Sequence, residues 1–212
     1  MLAILAVTGC SQRAKKNFAW PWSPEIDDAV GITTPAQRLA AMKALAENAD
    51  KQSPAEQERV TADLAKQIQD EQDPMIRRKI VDTLGHFNTA SANGVLQAAL
   101  ADSDPWVRVV ACQGWGRKSG PEAVEKLANL LSGDTNLDVR LAAAKAIGKT
   151  KDKAALQSLA EALSDSDPAV HYCVLGSLRE ISGKDYGNDV ELWRSYAKGE
   201  NPKEPDGPSI AE

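Results

Sequence analysis

Asp104-Pro105-Trp106-Val107-Arg108-Val109-Val110-Ala111-Cys112-Gln113-Gly114-Trp115-Gly116 is the stretch on which the fold turns. It opens with a carboxylate that suits a helix N-cap, followed by a proline, which suits the first helical position. Val107, Ala111, Cys112 and Trp115 then fall on one helical face. Four other segments repeat this opening: Thr34-Pro35-Ala36-Gln37-Arg38, Asp73-Pro74-Met75-Ile76-Arg77, Asn136-Leu137-Asp138-Val139-Arg140 and Asp167-Pro168-Ala169-Val170-His171. In chain order the five starts are 39, 31, 32 and 31 residues apart. A period of this size marks stacked helical units. Small or apolar residues recur at matching places after each cap, as in Ala143, Ala144, Ala146 and Ile147. Gly85, Gly116 and Gly148 follow, and they are expected to end their helices, where a left-handed residue is easiest for glycine.

Between these segments lie others with apolar residues three and four apart: Val60, Leu64 and Ile68; Val95, Leu96, Ala99 and Leu100; Val124, Leu127, Leu130 and Leu131; Leu156, Leu159, Ala162 and Leu163. Each reads as an amphipathic helix. One helical hairpin cannot bury its apolar stripe alone, whereas stacked neighbours can. The pattern Asp-Pro-x-Val-Arg, small residues, then Gly resembles the HEAT-like repeat of the phycobilisome-lyase type over about residues 34–181. The resemblance implies an all-α, right-handed α-α superhelix of about four to five repeats, used mostly as a binding scaffold. Expected boundaries are a signal peptide over 1–9, a lipid-anchored linker over 10–33, the solenoid with a C-terminal capping helix over 34–198, and a disordered tail over 199–212. In the capping helix Leu192, Trp193 and Tyr196 are expected to pack over the open end of the stack.

Composition agrees with helices. Of 212 residues, 42% are hydrophobic and only 5% aromatic, whereas a β-sandwich would want more β-branched and aromatic residues. There are 25 Lys and Arg against 30 Asp and Glu, a net charge of −5 that offers no global attraction to nucleic acid. Three cysteines, Cys10, Cys112 and Cys173, make no disulfide framework. The chain opens on an apolar run, Met1 to Val7, that reads as a secretion signal rather than as fold. Val7-Thr8-Gly9-Cys10 resembles the lipobox of bacterial lipoproteins. That resemblance implies cleavage before Cys10, lipid on its thiol, and a membrane-anchored protein on the periplasmic side of the cell envelope. A soluble cytoplasmic protein is the alternative.

Little in the sequence points to catalysis. The two histidines, His86 and His171, have no metal-ligand companions at useful spacing, and no Gly-rich phosphate loop or nucleophile elbow occurs. The expectation is a non-enzyme with no cofactor and no metal. In Asp102-Ser103-Asp104 and Asp165-Ser166-Asp167 the second Asp is expected to cap a helix and the first to face solvent. Arg38, Arg77, Arg108 and Arg140 follow their caps by four residues and should stack as an inter-repeat ladder. Pairing with Asp73, Asp104 and Asp138 is the favoured reading, with a groove for an anion or an acidic peptide as the other.

The helices that carry the caps are expected to line the inner face of the stack. Met75, Trp106, Val109, Leu141 and Tyr172 sit two or five residues past their caps, turned away from the core positions, and are the candidate partner-binding residues. The function expected is a membrane-tethered scaffold for a protein or peptide partner. The alternatives are a lyase-like or chaperone-like protein acting on a bilin-bearing partner, and a nucleic-acid-binding solenoid. Scarce aromatics weigh against the first. Net acidity weighs against the second, so no nucleic-acid partner is expected.

Overall fold

The structure, a computed structural model, describes residues 35–205. It holds α1 (Pro35–Glu47), a 3-10 turn (Ala49–Lys51), α2 (Pro54–Asp70), α3 (Pro74–Leu84), α4 (Ala90–Ala99) and α5 (Pro105–Lys118). Then come α6 (Pro121–Gly133), α7 (Leu137–Thr150), a second 3-10 turn (Lys153–Ala155) leading into α8 (Leu156–Ala162), α9 (Pro168–Ser182) and α10 (Val190–Ala197). No strand occurs among the described residues.

Two units are distinguishable, residues 1–41 and 42–212. The described part of the first is the opening of α1, with Leu39 exposed there. The second is a two-layer stack. In one layer α3, α5, α7 and α9 lie side by side, each against the next; these are called the cap helices below. The other layer comprises α2, α4, α6 and α8, with α10 packed on α8.

Local chemistry starts each cap helix. Asp73 accepts from the Met75 amide at 2.8 Å, Asp104 from Trp106 at 2.9 Å, Asn136 from Val139 at 3.3 Å, and Asp167 from Ala169 at 2.8 Å. Each bond satisfies one amide that a helix start leaves orphaned. The helix period then sets the face. Val107, Ala111, Cys112 and Trp115 are buried, as are Val139, Ala143, Ala144 and Ile147, and Val170, Val174, Leu175 and Leu178.

The repeated glycines do a different job from the one expected. Gly116 and Gly148 lie inside α5 and α7, and Gly85, the C-cap of α3, has φ −59°. None of the three is left-handed. Instead they are where neighbouring cap helices touch. A Cβ on Gly116 would lie 3.0 Å from both the Cβ and the carbonyl oxygen of Ala146. One on Gly148 would lie 2.7 Å from Ser177 Oγ, and one on Gly85 3.1 Å from the Gly114 Cα. Each of these glycines stands twelve residues past its cap and meets the residue ten past the next cap. Ser177 uses the close approach, donating from Oγ to the Ala144 carbonyl at 2.8 Å across the α7–α9 seam.

The C-terminal end is closed by aromatics. Trp193 and Tyr186 are buried with ring centroids 4.9 Å apart at 84°, an edge-to-face pair. Trp193 Nε1 donates to the Gly187 carbonyl at 3.2 Å. Contacts continue into the expected tail: Tyr186 donates to the Pro202 carbonyl at 3.3 Å, and Lys184 pairs with Glu204 at 2.9 Å.

Candidate functional site

The arginine ladder is built into the loops. Arg77 grips Asp102 with Nε at 2.9 Å and Nη2 at 2.8 Å. Arg108 grips Asp134 in the same way, at 2.8 and 3.0 Å, and Arg140 reaches Asp165 with Nε at 3.1 Å. The remaining Nη1 of each donates to a carbonyl of its own loop: Gln72 at 2.9 Å, Asp102 at 2.8 Å and Asp134 at 3.0 Å. Fork-shaped pairing of this kind is what a guanidinium does best. The partners are not the capping carboxylates that the sequence favoured. They are Asp102, Asp134 and Asp165, two residues before each cap, and so Asp102 and Asp165 do not face solvent freely. The capping oxygens of Asp73 and Asp104 are already held by helix amides, and Asp138 is exposed on α7.

Electrostatics fit this geometry. Burial pushes the Asp102 carboxyl up, but the Arg77 hydrogen bond, the Asp104 amide and the charges of Arg77 and Arg108 outweigh it and hold it below the usual range. Asp134 behaves alike: burial raises it, and Arg108 and the Asn136 amide bring it down further. Arg77 and Arg108 thus spend all three guanidinium nitrogens on these partners, and Arg140 two of its three, so inter-repeat pairing accounts for the ladder. Arg38 lies on α1, in the first unit. His171 takes the arginine slot on α9, with its Nε2 buried and no hydrogen-bond partner.

The candidate partner-binding residues divide. Met75 is 63% exposed, Trp106 51% and Tyr172 78%. Val109 is buried, against expectation, and Leu141 is half-buried. Val109 is turned from its own repeat's core, but α5 lies flush against α7, and the side neighbour does the covering. Trp106, Val109 and Leu141 nevertheless come together. With Gln113, Asp138, Ala142, Lys145, Ala146 and Lys149 they line a cleft of about 220 Å³ between α5 and α7. That is below the roughly 300–1,000 Å³ of small-molecule pockets. Met75 and Tyr172 stand outside it, on α3 and α9.

The other singled-out residues are placed as follows. Cys112 is buried and its thiol is pushed up to about 12 by burial, with the Asp134 charge adding to it. Cys173 is half-buried; both thiols are free. Cys10 lies outside the described residues. No group of three or more His, Cys, Asp or Glu is placed to hold a metal among the described residues. No helix among them is long and apolar enough to cross a membrane.

Side-by-side cap helices, a second layer behind them and a loop-borne ladder define an α-helical repeat solenoid. The family model for HEAT repeats matches residues 92–179 of it. No curated protein matches the chain in sequence. Among solved structures the chain is similar to human deoxyhypusine hydroxylase, in complex with glycerol, at 23% identity and a TM-score of 0.52. The match covers 58% of this chain and 44% of that one, so this chain spans under half of that protein's length. At such identity the likeness speaks for the fold alone.

Proposed function

We propose that this chain is a non-catalytic scaffold, tethered by a lipid on Cys10 to a membrane of the bacterial cell envelope, that binds a protein or peptide partner at the α5–α7 cleft. One observation carries the binding reading. Trp106 is 51% exposed at the rim of a cleft lined by Val109 and Leu141, while the four core positions of α5 are buried. A half-exposed Trp beside an apolar recess is the kind of anchor that concentrates binding energy at interfaces.

The test is Trp106→Ala in the full chain, with a partner pull-down from envelope extract beside a thermal melt. Partner binding should weaken by about 2 kcal/mol. Stability should change by less than about 1 kcal/mol, as for a surface substitution. A large fall in melting temperature with the partner retained would make Trp106 a packing residue and end the proposal. The tether is tested separately by Cys10→Ser, which should release the protein from membranes after a salt and carbonate wash. Retention would remove the lipid from the scheme.

A further inference from the structure

We infer that the α5–α7 cleft selects an acidic peptide segment. One large apolar side chain packs beside Trp106 against Val109 and Leu141, and one or two nearby carboxylates seat on Lys145 and Lys149. This rests on the reading above that the cleft binds a partner, and it names that partner's chemistry.

Charge complementarity carries the inference. Lys145 and Lys149 are one turn apart on α7, both exposed and both lining the cleft. Among the described residues no carboxylate lies within ion-pair reach of either. Two other lysines of the stack do have mates on their own helix: Lys79 pairs with Asp82 at 3.0 Å and Lys126 with Glu122 at 3.3 Å. On α7 the residue four before Lys145 is Leu141, and the one four after is Lys149 itself. Like charges at this spacing oppose the helix slightly, so the pair is not explained by helix stability. Lys149 in the last turn gains from the helix dipole, but Lys145 lies a turn further in.

The cleft also has direction. Asp138 stands near the start of α7, about two turns from Lys145, so the apolar floor lies between an acidic end and a basic end. Arg117, further along α5, is already paired with Asp82 at 3.5 Å. A chain of net charge −5 that leaves two cations free beside an apolar recess favours local recognition of carboxylate over general attraction. A nucleic-acid backbone would need a longer run of cations than two lysines and would meet Asp138.

The experiment pans the full chain against a random-peptide display library and measures enriched peptides by fluorescence polarisation. Wild type is compared with Trp106→Ala and with a Lys145→Glu, Lys149→Glu double variant. Enriched peptides should carry a large apolar residue with Asp or Glu close by. Each variant should bind them at least about tenfold more weakly. Raising salt from about 0.15 M to about 0.5 M should weaken binding to wild type but not the residual binding to the double variant. Melts of all three proteins should coincide, and a Lys145→Gln, Lys149→Gln pair replaces the reversal if it does not fold. Peptides that need Trp106 but ignore both lysines, or that are basic, would overturn the inference and leave the proposed function standing. The absence of any Trp106-dependent peptide would overturn both. Oligonucleotide retention lost with the lysines, without an acidic preference among peptides, would overturn it in favour of nucleic acid.

Discussion

Between Pro105 and Thr150 the cap helices carry two devices, and between Pro168 and Ala197 both are gone. In α5 and α7 an arginine four past the cap pairs with an Asp in the following loop, and a glycine twelve past the cap lets the next cap helix close in. On α9 the corresponding residues are His171 and Arg179. Both devices reach forward, and among the described residues no further cap helix follows α9. There Arg179 turns to the closing loop instead, donating to Asp185 at 2.8 Å and to the Gly187 carbonyl at 3.0 Å. The α9 end is then sealed by Tyr186 and Trp193, in α10 and the loop before it, rather than by another repeat. A solenoid that must stop needs such a cap, because its last apolar face has no neighbour.

The largest expected effect lies at the sealed end. Trp193→Ala empties a fully buried site and removes the edge-to-face partner of Tyr186. It should cost about 3–5 kcal/mol in a denaturant melt. A loss under about 1 kcal/mol would show that α10 is not the cap of the stack.

Two glycines sharpen the contrast next. Gly116→Ala places a methyl 3.0 Å from Ala146 backbone and side chain at the α5–α7 seam. It should cost about 1–3 kcal/mol by overpacking. Gly176→Ala, on α9, meets nothing within 4 Å. It should stabilise by about 0.5–1 kcal/mol, since alanine is the better helix former. Equal signs for the two would break the seam argument.

The ladder is tested by Asp134→Asn, which keeps the oxygen that accepts from the Asn136 amide but removes the charge facing Arg108. The expected loss at neutral pH is about 2 kcal/mol, because a partly buried guanidinium loses its counter-charge. Its pH dependence follows from the depressed folded-state value of Asp134. The stabilisation is fully present above the unfolded carboxyl value of about 3.9 and is lost as pH falls through the folded one. Wild type and variant should therefore converge below about pH 4. A difference that persists unchanged in acid would mean that the charge is not what stabilises the loop.

How much of this the sequence disclosed depends on how far each effect reaches. Caps and buried faces were legible because Asp104 bonds amides two and three residues on, and Val107 to Trp115 share one helix face. Ladder partners were not, because Asp102 and Asp104 are identical letters two residues apart. Only the next repeat's geometry reveals that one serves the helix ahead and the other the arginine behind. Gly116 and Gly148 misled for a related reason: a glycine near a helix end looks the same whether it makes a turn or admits a neighbour. Val109 was mistaken for surface because a single helical wheel contains no α7. The cleft's apolar members were legible from their offsets after the cap, but Tyr186 gave no periodic signal at all. Lys149 stands one turn past Lys145 on α7, a spacing legible in the sequence, but that the two border the apolar recess was not.

The smallest effect is expected at His171, and its smallness is the point. In the ladder, the carboxylate gripped by each arginine lies 25 or 26 residues further along: Asp102 for Arg77, Asp134 for Arg108, Asp165 for Arg140. The residue 25 past His171 is Tyr196, and the next is Ala197. His171→Arg would thus restore the ladder's letter without its partner. The new guanidinium would keep one option, the carbonyl of its own loop, as Arg140 uses that of Asp134. It would also replace an imidazole whose Nε2 is buried and unpaired, so desolvation of the arginine is offset in part by removing an unsatisfied atom. These terms nearly cancel, and stability should change by no more than about 0.5 kcal/mol. Any new acid dependence should be small, since Asp165, six residues before it, is already paired with Arg140. The converse change, Arg108→His, leaves Asp134 without its partner and should cost about as much as Asp134→Asn, about 2 kcal/mol. If His171→Arg proved strongly stabilising, a hidden acidic partner at the C-terminal end would have to exist, and the contrast between the repeating and the terminal region would need redrawing.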